Sequence, residues 1–163
     1  MSIVGIDPGK SGAIVSIGET VESFLFPLIG KEYDRVAFSD LIKKLNPTIV
    51  AVEDVHAMAG VAASANWSLS QGKEMVLSIL SVHKIPFVLV SPKQWQSEMF
   101  QGVPVMKKPS KRNDTKAMAL VAAKRLFPNM DLTKSDRSEK PHEGIVDALL
   151  IAEFTRRNYG KRN

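Results

Sequence analysis

The 163-residue chain contains no cysteine. A disulfide framework and a thiolate zinc site are both excluded, and any metal must be held by oxygen or imidazole ligands, which favours hard divalent cations. No stretch is apolar over the ~18 residues a membrane span needs. The amino terminus lacks the basic start, apolar run and small-residue cleavage site of a signal peptide, so an intracellular, cytoplasmic protein is expected. There is no internal repeat and no low-complexity segment. What remains is a composition of 44% hydrophobic and 24% charged residues, which suits one compact domain spanning residues 1–163.

Charge is unevenly placed. Residues 1–83 hold 6 Lys or Arg against 9 Asp or Glu, whereas residues 84–163 hold 16 against 8. The basic residues gather in a loop at about 101–114, with Lys107, Lys108, Lys111 and Arg112, followed by Lys116, and in a tail at 156–163 with Arg156, Arg157, Lys161 and Arg162. Such clusters suit contacts to phosphates, although a solvated loop and tail would look the same.

Three β-rich runs open the chain, Ile3 to Asp7, Ala13 to Ile17 and Val21 to Phe26, separated by turns such as "PGKSG" and "GET". They read as an antiparallel meander. A helix is expected from about Arg35 to Leu45, closed by Asn46 and Pro47, and "TIVAVEDV" reads as a buried central strand. Apolar spacing predicts a helix over Trp67 to Lys84, then a fifth strand in "IPFVLVSP". A short helix follows, with Ser91 as cap and Pro92 at its first position. Further helices are expected at Thr115 to Phe127 and from about Glu143 to Arg157, and "QGVPVMKKPSKRND" is a candidate mobile loop. The order predicts an α/β protein with a five-stranded mixed sheet, its first three strands antiparallel, and helices on both faces.

Four carboxylates fall at element ends: Asp7 after the first strand, Glu53 after the fourth, and Glu143 and Asp147 at the start of the last helix. If strands one and four are parallel neighbours, Asp7 and Glu53 share one sheet edge, where residues line a crevice. Glu143 and Asp147, four apart, project from one helix face and repel. A shared divalent cation would offset that repulsion. Asp-Pro-Gly is also an ordinary turn opener, and Glu143 and Asp147 could be plain helix acids. Glu53 is harder to dismiss, because burying it without a partner is costly. Three or four acids without a thiol suit two-metal hydrolysis of a phosphodiester by Mg2+ or Mn2+.

"GIDPGKSGA", "VEDVHAM", "VSPKQW", "DTKAMALVAAKRLFP" and "HEGIVDALLIAEF", in that order, resemble the RuvC-like Holliday junction resolvases, especially the branch found in phages and organelles. The likeness spans Ile3 to about Phe154. It implies a ribonuclease H-like fold, a homodimer, paired nicks across a four-way DNA junction and, for a phage-encoded chain, action in the host cytoplasm. By position, Asp7, Glu53 and Asp147 match the family's metal-binding acids. The bacterial pattern has another acid three residues before the last aspartate, where this chain has Gly144; Glu143 matches the acid of an "H-(D/E)-G" variant instead. His142 beside it is either an accessory group or a cap.

The same likeness implies DNA contacts. His56 stands where bacterial enzymes carry an aromatic, "HAMAGVAAS" resembles the loop that meets bases at the junction centre with Met58 a candidate wedge, and Lys116 matches a backbone-contacting lysine. Gln96 replaces a further lysine, for which Lys93 could substitute. Trp67 and Trp95 read as core or interface packing. Two other functions stay open. An RNA-processing nuclease of the same fold and a non-cleaving junction-binding protein both fit these residues. The strand, acid and glycine turn also open actin- and hexokinase-type nucleotide-binding domains, but no further nucleotide motif is found and no nucleotide cofactor is expected.

Overall fold

Alternation along the first strand sets the layering. In β1 (Ile3–Asp7), Val4 and Ile6 enter one core, while Gly5 faces the opposite side, where a Cβ would lie 2.3 Å from the Ala148 carbonyl oxygen. The computed structural model describes residues 2–56, 60, 62–135 and 137–160. After β1 come β2 (Ala13–Ile17), β3 (Val21–Leu25), a small hairpin of β4 (Leu28–Ile29) and β5 (Glu32–Tyr33), then α1 (Arg35–Leu45) and β6 (Ile49–Glu53). The remainder is α2 (Ala63–Val82), β7 (Phe87–Val90), α3 (Pro92–Met99), α4 (Thr115–Leu126) and α5 (Glu143–Tyr159).

The main sheet has the order β3-β2-β1-β6-β7. Its first three strands are antiparallel, and β6 lies parallel to both β1 and β7. This is the mixed sheet expected from the sequence. Val4, Ile6, Ile14, Val50 and Val52 pack on one face with Phe38 and Ile42 of α1 and Val76 and Leu80 of α2. On the other face Ala13, Val15 and Ala51 meet Trp95 and Met99 of α3, Ala119 and Ala122 of α4, and Ile145 and Leu149 of α5. Each large aliphatic buried in these cores contributes roughly 1.5–3 kcal/mol. Among the described residues no helix is long and apolar enough to cross a membrane.

Capping fixes most helix starts. Asp34 accepts from the Ala37 amide at 2.9 Å and Asp114 from that of Ala117 at 3.1 Å, and Ser91 with Gln94 forms a capping box ahead of Pro92. Helix α1 ends at Asn46, which adopts φ 42° and leads into Pro47.

Two details depart from the pattern expected. The β4–β5 hairpin, turning at Gly30 with φ 60°, was not anticipated. Helix α2 starts four residues before Trp67, where Ala63 and Ala65 favour helix but no apolar period marks it in the sequence. The basic loop is a bonded turn: the Lys108 amide meets the Arg112 carbonyl at 2.9 Å, that of Lys111 the Lys108 carbonyl at 2.8 Å, and that of Asp114 the Met106 carbonyl at 2.8 Å. Lys111 takes φ 62° at its tip.

Candidate functional site

Pairing of β1 with β6 runs Ile3↔Ile49 through Ile6↔Val52, so one further step sets Asp7 beside Glu53. Side chains two apart share a face. Asp7 therefore lies on the side of Gly5, and Glu53 on the side of Ala51, which packs in the α5 core. Asp147 precedes Ala148, whose carbonyl sits against Gly5, so the second turn of α5 carries Asp147 to the same sheet edge. The close approach of β1 and α5 depends on Gly5, since a Cβ there would also meet the Ala152 amide nitrogen at 2.4 Å.

The electrostatics tie the three acids together. Asp147 is pushed up to about 8, first by burial and then by the charges of Glu53 and Asp7, with Lys116 pulling the other way. Burial raises Glu53 to about 7; the Trp95 indole opposes this rise and the Asp7 charge adds to it. Asp7 reaches about 6 through burial, against the Gly9 amide and the Lys116 charge. Each acid therefore disfavours ionisation of the others, as in a site where carboxylates share one field.

Glu143 stands on the rim. Its side chain is 63% exposed and forms an ion pair with Lys116 of α4. Among the described residues no three His, Asp or Glu side chains are gathered into a set ready to hold a metal ion. The donor chemistry nevertheless fits one: Asp7, Glu53 and Asp147 offer only hard oxygens, repel one another, and pull against a lysine already engaged by Glu143.

An open groove of about 450 Å³ is lined by Glu143 and Asp147 together with Lys108, Lys116 and Lys140. Its walls include Asp114, Leu120 and Pro141. The other basic residues are more dispersed. Lys107 donates to the Asn113 side chain at 2.6 Å; Lys111 and Arg112 are exposed on the turn; Lys93 is exposed on α3 and borders a separate depression with Asn113 and Thr115. Arg156 and Arg157 belong to α5, where both bond the buried Glu153 carboxylate at 2.7 Å. Burial raises the Glu153 pKa, but the two guanidinium groups outweigh it and hold the carboxyl below its ordinary value. Lys161 and Arg162 lie outside the described residues.

His56 is exposed and sits 3.3 Å from Asp54, which also pairs with Lys73 of α2. Met58 lies outside the described residues. His142 is the cap of α5, its Nδ1 accepting from the Ile145 amide at 3.4 Å. Burial and the Lys134 charge lower its pKa and outweigh the opposing Glu143 charge, and this lowering favours the neutral ring that an acceptor nitrogen requires.

Sequence reasoning missed two groups. Lys140 lines the groove, and its place two residues before His142 was the available signal. Trp95 was read as packing; it is 1% exposed, and its indole N–H also donates to Glu53 Oε1 at 2.8 Å.

No family model matches the chain, and no curated protein matches it. Solved structures do. T. thermophilus RuvC in complex with a Holliday junction substrate aligns with TM-score 0.62 at 14% identity, covering 99% of this chain and 95% of that one. A second Thermus thermophilus RuvC structure gives 0.58 at 16%, covering 96% of each. The yeast mitochondrial Holliday junction resolvase Ydc2 gives 0.61 at 15%, covering 95% of this chain and 78% of that one. The likeness suggested by the motifs is thus matched by a shared ribonuclease H-like fold.

Proposed function

We propose that the chain is a structure-selective endodeoxyribonuclease that resolves four-way and other branched DNA by paired, metal-dependent phosphodiester hydrolysis. The observation that carries this reading is the meeting of Asp7, Glu53 and Asp147 at one sheet edge, beside a groove lined by three lysines. Likeness of fold to RuvC and Ydc2 supports it.

Asp7, Glu53 and Asp147 would hold Mg2+ or Mn2+, two ions per site, with Glu143 joining from the rim. Bound cations of this kind activate a water for attack on phosphorus and neutralise the leaving oxygen. The protein's own groups position the substrate. Lys108, Lys116 and Lys140 hold backbone phosphates along the groove, while Lys93, Lys107, Lys111 and Arg112 extend the basic surface. His56, and Met58 in the following segment, reach bases near the crossover. His142 fixes the start of α5 and hence the direction in which Glu143 and Asp147 leave it.

Paired nicks in opposing strands call for two such sites, so the working unit is a homodimer, with the whole chain acting as one nuclease domain inside the cell. Substrate competition tests the reading. Labelled four-way DNA, linear duplex and single-stranded RNA are offered together with Mg2+. Strong preference for the four-way junction is expected. Preferential RNA cleavage would instead identify an RNA-processing nuclease, and tight junction binding without cuts in Mg2+ or Mn2+ a non-cleaving junction-binding protein.

A further inference from the structure

Trp95 reaches Glu53 by a short route through the fold. β7 pairs with β6 so that Val90 lies opposite Glu53, and the chain turns at once into α3 through the Ser91–Gln94 capping box and Pro92. The first turn of α3 brings the Trp95 indole back over the strand end, where Nε1–H donates to Glu53 Oε1 at 2.8 Å. Both groups are held firmly. Trp95 is 1% exposed and meets Phe100 edge to face at 5.8 Å, and Glu53 is 8% exposed.

From this geometry we infer that Trp95 is a positioning residue, whose indole N–H fixes the Glu53 carboxylate for cation binding. The inference rests on the nuclease reading above. An indole suits the task for a chemical reason. It is a donor only, so the bond cannot reverse, and it is neutral, so it orients the carboxylate without competing for the charge a cation needs. A lysine in its place would neutralise the site. The indole engages Oε1 and leaves Oε2 outside this bond. Packing alone does not require the nitrogen, since a phenyl ring would also fill an apolar core.

The test reads the indole directly. The chain has two tryptophans, so 15N-labelled full-length protein gives two indole N–H signals, assigned with Trp67→Phe. The Trp95 signal should be exchange-protected and move saturably as Mg2+ is added, and Glu53→Gln should abolish the movement. A Trp95 signal that ignores both Mg2+ and Glu53→Gln would overturn the inference, with no need for a Trp95 variant that folds.

Trp95→Phe supplies the second readout, Mn2+ binding followed by electron paramagnetic resonance. Half-saturation should rise about 10- to 100-fold, while junction binding in chelator stays near wild type. Unchanged half-saturation overturns the positioning role. Failure of the nuclease reading looks different: wild type itself would take up no Mn2+, Asp7→Asn would change nothing, and the inference would fall with it.

Discussion

Gly144 lies so close to Ser11 that a Cβ added to it would come within 2.6 Å of the Ser11 carbonyl oxygen. The start of α5 therefore rests on the backbone of the β1–β2 turn, and an acid cannot occupy that position as it does in the bacterial pattern. Glu143, one residue earlier, points to the rim and Lys116 instead. Gly144→Ala should destabilise the fold by about 1–3 kcal/mol through overpacking, seen as a lower urea midpoint. A midpoint equal to wild type would mean that the turn yields and that Gly144 is not what excludes the acid.

The strand-end acids should separate cleavage from binding. Asp7→Asn and Glu53→Gln are expected to reduce nicking by at least ~10³-fold, the loss of several kcal/mol of metal-assisted stabilisation. Junction affinity in chelator should stay near wild type, because lysines carry it. Gel-shift titration beside a nicking assay checks both, and parallel loss of binding would assign these acids a structural role.

Without metal, the same acids make stability depend on pH. Their folded pKa values of about 6, 7 and 8 exceed ordinary carboxylate values, so the folded protein retains protons that the unfolded chain releases. That contribution is fully present below about pH 4 and is lost as pH rises through 6 to 8. Stability in chelator, read from urea unfolding, should therefore fall between pH 5 and pH 9. Asp147→Asn should flatten the slope. A stability that rises over this range would contradict the shared field of the three acids.

The groove makes a prediction about salt. Lys140→Ala and Lys116→Ala should each lower the slope of log affinity against log salt by about 1, the signature of one lost phosphate contact. Lys107→Ala, whose side chain is occupied by Asn113, should change it less. Equal slopes in all three variants would place the DNA elsewhere.

Much of this was legible in the sequence because strands alternate. The hydrophobic runs mark β1 and β6 as strands ending in Asp7 and Glu53, and the parallel register Ile6↔Val52 then sets both acids on one face. Helix ends were legible where caps are chemical, at Ser91 and Asn46. The β4–β5 hairpin was not, since two-residue strands leave no period to detect. Nor was the bond from Trp95 to Glu53, because a tryptophan in a core looks the same in sequence whether or not its nitrogen has an acidic partner. The turn in the basic loop depends on Lys111 adopting a positive φ, which its residue type does not announce.

The most direct measurement is nick mapping on an immobile four-way junction labelled in each strand, with wild type and Asp7→Asn, in Mg2+ and in chelator. The account predicts symmetric nicks in two opposing strands that require both Mg2+ and Asp7. Cuts that persist in chelator or in Asp7→Asn, or binding with no cuts under any condition, would contradict it.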